Sequence, residues 1–161
     1  MTSRPADVKE PDRYHSLLGD ADCDRADVAA RLSDYYWDIV MPEYLDDPES
    51  RALLFHWTSV ASLLDPDAYT FRMGWIYADG IGCERDTDKA VDFFTEAYAS
   101  GDWRGAKAIA RMLEEHLADN PGIVGDERRE CEREIAGWHQ RAYTLREEQF
   151  NRIISHIDRQ D

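Results

Sequence analysis

The sequence predicts an all-α protein built from αα-hairpin repeats, and three observations support this. Between Tyr69 and Ala106, small residues recur where two helices would touch, and aromatic residues recur where side chains would wedge between helices. A Gly-x-Gly loop beginning at Gly80 and a turn led by Gly101 separate three helical segments of this stretch. No run of residues alternates apolar and polar side chains for long enough to predict a strand.

Six helices follow from the apolar periodicity and from the turn formers between the periodic segments. They are predicted over residues 25–40, 48–64, 66–79, 87–100, 103–118 and 126–158. Residues 1–12 are polar and contain two prolines, which predicts a disordered tail, and residues 13–161 are predicted to form a single α-helical repeat domain. The last helix is long, so it is expected to break near Thr144, to project, or to cap the stack.

Aspartates mark the starts of four of these helices. Asp47 and Asp65 each precede a proline, which is the pattern of an N-cap followed by proline at the first helical position. Asp86 and Asp102 are predicted to cap the fourth and fifth helices in the same way. At the end of the third helix, Gly80 suits a left-handed C′ position.

The Gly-x-Gly loop has two interpretations. In the first, Gly82 lets the chain turn sharply between two helices without a clash at Cβ. In the second, the loop binds phosphate, but it follows a helix rather than a strand. It also has no third glycine and no Gly-Lys-Ser/Thr sequence. The sequence therefore favours the turn.

The order and spacing of small and aromatic residues in this stretch follow one repeat pattern. The residues that fill it are Met73-Gly74, Tyr77, Gly80-Ile81-Gly82, Asp86, Lys89-Ala90, Phe93-Phe94, Ala97, Gly101 and Ala106. The segment resembles a Sel-one-like repeat, a slightly longer relative of the tetratricopeptide repeat. Cys83 and Tyr98 depart from the family pattern, after the loop and at the second alanine. The resemblance implies a short superhelix of about three helix pairs that binds other proteins.

Weaker copies of the repeat are expected on both sides. Downstream, Trp138 to Tyr143 repeats the aromatic and Ala-Tyr spacing of Phe93 to Tyr98, at an offset of 45 residues. Upstream, the segment from Trp57 to Ala61 lies about 37 residues before the same positions. The alternative for this upstream segment is an ordinary amphipathic helix.

The chain is acidic, with a formal net charge of −15. Residues 1–119 hold 25 acidic and 12 basic residues, whereas residues 120–161 hold 9 acidic and 7 basic residues. Two interpretations explain this charge equally well. One is a solvated surface that keeps the protein soluble, and the other is an acidic face that contacts a basic partner. Binding to nucleic acid or to an anionic membrane surface is disfavoured, because both need clustered Lys and Arg.

Catalytic and metal-binding patterns are missing from the sequence. It contains no Gly-x-Ser-x-Gly and no His-Glu-x-x-His, and its three cysteines have no close metal-ligand partners. We therefore predict no enzyme activity, no metal and no cofactor. The first residues show no apolar signal region and no transmembrane-length run occurs, so a cytoplasmic protein with reduced thiols is expected.

These features predict a protein-binding module, and two roles fit. The first is an immunity-type protein that neutralises a basic bacterial toxin or effector by covering its active site. Some immunity proteins resemble this repeat family, and that analogy supports the role. The second is an adaptor in a multiprotein assembly. The residues predicted to contact the partner are Trp37, His56, Trp75, Asp79, Asp88, Asp92, Glu96 and Trp103. For Trp75 and Trp103 a position in the core is the alternative.

Overall fold

The computed structural model describes residues 25–40 and 46–157 of the 161 residues. Its helices are α1 (Arg25–Val40), α2 (Pro48–Leu64), α3 (Pro66–Asp79), α4 (Thr87–Ala99), α5 (Trp103–Asp119) and α6 (Gly125–Ile157). Each predicted helix is present, with ends within one residue of those expected from the sequence. The described part of the chain contains helices and turns but no strand, which confirms the all-α fold class. The predicted tail of residues 1–12 lies outside the described residues.

The predicted aspartate caps form at three helix starts. The Asp47, Asp65 and Asp102 carboxylates accept hydrogen bonds of 3.0–3.4 Å from backbone N–H groups two or three residues later. These bonds satisfy donors that a helix cannot satisfy internally. Before α4, the backbone N–H of Asp86 donates to the Tyr77 carbonyl at 3.0 Å, and side-chain capping by Asp86 stays a prediction.

The loop between α3 and the start of α4 is held against α2 by a side-chain hydrogen bond and by close backbone packing. Gly80 ends α3 with φ 64° and ψ 44°, the left-handed conformation expected from the sequence. Its carbonyl accepts a 3.0 Å hydrogen bond from the Arg51 guanidinium. Gly82 has φ 69°, and an added Cβ would lie 2.1 Å from the Arg51 carbonyl oxygen. The second glycine is therefore explained by packing against α2.

The described helices fall into two compact units, and the first contains α1, α2 and α3 and ends at Asp86. Here α1 packs on α2, and α2 packs on α3. Leu32, Leu54 and Ile76, one from each helix, are fully buried. The hydroxyls of Ser33 and Thr58 form a buried 2.8 Å hydrogen bond between α1 and α2, which satisfies both polar groups inside the core.

The second unit begins at Thr87 and contains α4, α5 and α6. Here α4 packs on α5, and α5 packs on α6. Phe94 is fully buried, and a Cβ added at Gly105 would lie 2.3 Å from the Phe94 carbonyl oxygen. The backbones of α4 and α5 therefore touch at Gly105. Tyr98 and Trp138 meet edge to face at 5.9 Å, which places α6 against α4 as well.

The last helix runs unbroken for 33 residues, so the expected break near Thr144 does not occur. The Gln140 amide donates to the Thr144 hydroxyl at 3.2 Å, and no proline interrupts the backbone ladder there. Further along, the Gln149 amide donates to the Gly101 carbonyl, just before α5 begins at Trp103. Residues 150–157 therefore extend past the start of α5.

Candidate interaction surfaces

Three predicted contact residues form an exposed line along α4. Asp88, Asp92 and Glu96 are spaced by four residues and are all exposed, and we call them the acidic stripe. The opposite face of the helix is buried through Ala90 and Phe94, so packing against α5 fixes the direction in which the carboxylates point. The helix thus presents three aligned negative charges to solvent.

The carboxylates of the acidic stripe differ from other acidic groups of the described helices in their pairing. Among the described residues, none of its three carboxylates forms an ion pair. By contrast, Asp27 on α1 pairs with Arg31 at 3.0 Å. Like charges four residues apart on a helix destabilise it by about 0.2–0.5 kcal/mol per pair. A positive group from outside would relieve that repulsion.

Two further predicted residues are exposed in the first unit. Asp79 is the last residue of α3. His56 lies on α2, with its ring edge-on to the buried Trp57 at 4.8 Å. His56 therefore contacts a core side chain while its own side chain stays exposed. Neither residue belongs to the second unit, which holds the acidic stripe.

Trp37 belongs to a cluster around Arg72. The Arg72 guanidinium carbon lies 5.0 Å from the centre of the Trp37 ring and 5.3 Å from that of Tyr69. The same group pairs with the Asp34 carboxylate at 2.5 Å. Burial, followed by the nearby Asp34 carboxylate, raises the pKa of Tyr69 above its ordinary value. The cluster ties α1 to α3, which gives Trp37 a structural role that its sequence position did not reveal.

The other two predicted tryptophans are half-buried. Trp75 meets Phe71 edge to face at 6.4 Å on α3. Trp103 begins α5, with the Arg146 guanidinium 5.5 Å from its ring centre. Its neighbour Arg104 donates to Asp102, and this hydrogen bond raises the pKa of Arg104. Trp103 also opens onto a groove of about 310 Å³, whose other lining residues are Arg146, Glu147, Gln149, Phe150 and Ile153.

A second exposed line, on α6, is missing from the predicted contact residues. Its members are large apolar side chains that remain 41–60% exposed, and we call them the apolar stripe. They are Tyr143, Phe150, Ile153, Ile154 and Ile157. The seven-residue spacing from Tyr143 to Phe150 and on to Ile157 was the available signal. In the sequence, that spacing is equally compatible with a buried helix face.

The predicted contact residues are divided between the two units. Trp37, His56, Trp75 and Asp79 lie in the first, whereas the acidic stripe and Trp103 lie in the second. Their joint role in one interface stays a prediction. In the part of the chain that the structure describes, no three His, Cys, Asp or Glu side chains are grouped as metal ligands would be. None of the described helices has the length and apolar character needed to cross a membrane.

Comparison with known proteins identifies a structural neighbour. No protein-family model and no curated protein sequence matches the chain. A solved structure, a Sel1 repeat protein from Oxalobacter formigenes, is similar at 19% sequence identity with a TM-score of 0.51. The similarity covers 83% of this chain and 50% of that protein, so the chain spans about half of its neighbour's length. Together with the six described helices, this similarity shows that the chain has a Sel1-like, all-α helical repeat fold.

Proposed function

We propose that this chain is a protein-interaction domain that binds a basic protein partner through the acidic stripe on α4. The observation that carries the proposal is the alignment of Asp88, Asp92 and Glu96, all exposed and all without an ion pair among the described residues. Helical repeat folds commonly present such surfaces to other proteins. Function does not follow from fold alone, and the exposed charges of this helix supply the specific support.

The charge of the acidic stripe would act mainly on the rate of encounter with a basic partner. A net charge of −15 attracts a basic protein over a distance and speeds encounter, most strongly at low salt. Lasting affinity in protein complexes comes mainly from buried aromatic and apolar anchors. Trp103 lies in the same unit and opens onto a groove, so it is the proposed anchor.

The specific role we propose is that of a cytoplasmic immunity-type protein. In this role the acidic stripe covers the basic active-site face of a toxin or effector and blocks access to its substrate. Occlusion needs only one tight, salt-sensitive complex, which suits a small domain. The adaptor role is the alternative, and it predicts several weaker partners instead of one.

The first experiment identifies the partner. The tagged chain is used to capture proteins from its host lysate at low and at high salt, and bound proteins are identified by mass spectrometry. We expect one basic protein that is retained at low salt, is released at high salt and is toxic when produced without this chain. Capture of several proteins whose binding is insensitive to salt would support the adaptor role and contradict the immunity role.

Charge reversal then locates the contact. The triple variant Asp88→Lys, Asp92→Lys and Glu96→Lys is expected to weaken the complex by about tenfold or more, measured by calorimetric titration. A second triple variant changes net charge equally at exposed positions away from the stripe. It carries Asp119→Lys, Glu127→Lys and Glu134→Lys. Equal losses in both variants would show that total charge, and not the acidic stripe, determines affinity.

A further inference from the structure

The apolar stripe on α6 is a continuous feature with its own geometry. Tyr143, Phe150 and Ile157 are seven residues apart, which places them almost in line along a helix. At a rise of 1.5 Å per residue, the line is about 21 Å long. Ala142 is buried and Gln149 contacts Gly101, so the stripe lies beside the face that packs on α5.

Packing within the second unit covers these side chains only in part. Gln149 of α6 lies beside the start of α5, and residues 150–157 of α6 extend beyond that point. Phe150, Ile153 and Ile157 stay 56–59% exposed there. Contiguous apolar surface of this kind commonly marks an interaction site.

Charge indicates which partner fits this surface. Between Tyr143 and Ile157 the chain carries two arginines and two glutamates, so the stripe is neutral within a protein of net charge −15. A basic partner would be drawn to the acidic helices instead. A second copy of this chain would be repelled by most of the acidic surface, but not here. The neutral stripe is therefore the place where two copies can approach at low electrostatic cost.

The charged residues beside the stripe can also pair with the same residues of a second copy. A two-fold axis crossing α6 between Arg146 and Glu147 places Arg146 of one copy opposite Glu147 of the other. The same axis places Tyr143 opposite Phe150 of the second copy. Among the described residues, neither Arg146 nor Glu147 forms an ion pair. Ion pairs in the first half of α6 are instead made internally, for example between Arg128 and Glu132 at 2.9 Å.

We propose that the apolar stripe is a self-association surface on which the α6 helices of two copies pair antiparallel. Tyr143 and Phe150 of the two copies meet at the centre of this pairing, Ile153, Ile154 and Ile157 lie opposite residues 136–140 of the second copy, and the Arg146–Glu147 pairs set the register. One helix face of about 21 Å lies at the small end of protein interfaces, so the dimer is expected in the micromolar range or weaker. The surface overlaps the proposed anchor site, because Phe150 and Ile153 line the groove onto which Trp103 opens. Dimerisation is measured on the chain alone, so its failure is distinguishable from failure of the toxin proposal.

Sedimentation velocity on the full chain, over about a hundredfold range of concentration, tests the proposal. The wild type is expected to shift from monomer to dimer as concentration rises. Phe150→Arg is expected to weaken dimerisation by about tenfold or more. Leu63→Arg is the matched control, because it places the same charge at an exposed apolar position on α2. Helix content of each variant is checked by circular dichroism.

Charge exchange tests the register. Arg146→Glu alone and Glu147→Arg alone place like charges opposite each other, so each single variant should dimerise less than the wild type. The double variant, Arg146→Glu with Glu147→Arg, restores opposite charges and should recover dimerisation. A wild type that stays monomeric throughout, or a dimer that Phe150→Arg leaves unchanged, overturns the proposal. Failure of the double variant to recover overturns the antiparallel register.

Discussion

The acidic stripe on α4 and the apolar stripe on α6 belong to the same compact unit but rest on different supports. Beneath the acidic stripe lies fully buried Phe94, and the helix packs on α5. Gln149 contacts Gly101 just before α5 begins at Trp103, and the apolar stripe continues along α6 beyond this contact. The side chains of both stripes are exposed, but α4 packs on α5 beneath the acidic stripe, whereas the apolar stripe runs onto the end of α6 beyond the start of α5. Binding at the two stripes should also respond differently to salt, because charge attraction is screened whereas apolar contact is not.

The largest expected difference in unfolding free energy is between a substitution on the buried face of α4 and one on the exposed face of α6. Phe94→Ala removes a fully buried ring and is expected to lower the free energy of unfolding by about 3–5 kcal/mol. Phe150→Ala removes a ring that is 57% exposed and should change it by less than about 0.5 kcal/mol in dilute solution. Urea unfolding of both variants measures the difference. A large loss in Phe150→Ala would mean that α6 is anchored as firmly as α4.

A smaller effect is expected where α4 rests on α5. In Gly105→Ala the new Cβ would lie 2.3 Å from the Phe94 carbonyl oxygen, so the two helix backbones must separate. We expect a loss of about 1–3 kcal/mol in the free energy of unfolding, despite the better helix propensity of alanine. Gly122→Ala is the matched control, because nothing lies within 4 Å of its added Cβ. Equal thermal stability of the two variants would exclude a close α4–α5 contact.

The smallest effect concerns repulsion inside the acidic stripe. Asp92→Asn removes a charge that repels both Asp88 and Glu96, and should raise the free energy of unfolding by about 0.5 kcal/mol. Asp27→Asn, which breaks the pair with Arg31, should lower it by about as much. Thermal unfolding at low salt resolves the opposite signs, and added salt should shrink both changes. A stability loss in Asp92→Asn would indicate that the stripe is compensated within the protein.

Local chemistry made much of the fold predictable. The caps at Asp47, Asp65 and Asp102, and the left-handed Gly80, depend only on neighbours in the chain, so the helix ends could be assigned from the sequence. The acidic stripe was predictable for the same reason, since four-residue spacing aligns side chains on any helix. Its role as an interface stays a prediction.

Contacts between distant residues were not predictable in this way. Asp34 and Arg72 are 38 residues apart, and no local pattern announces that they pair beside Trp37. The apolar stripe was missed for a related reason. A seven-residue apolar spacing predicts one helix face, but only the arrangement of neighbouring helices decides whether that face is covered. Because α6 passes the start of α5 at Gln149, Phe150 stays exposed.

The turn between α5 and α6 offers a site for attachment. At Gly82, an added Cβ would collide with the Arg51 backbone, so that turn admits no extra atoms. At Gly122 the space is open, and the surrounding residues are mostly exposed. A short tag inserted there would leave both stripes untouched. The protein could then be fixed to a sensor surface in a single orientation, with the acidic and apolar stripes both available to capture partners.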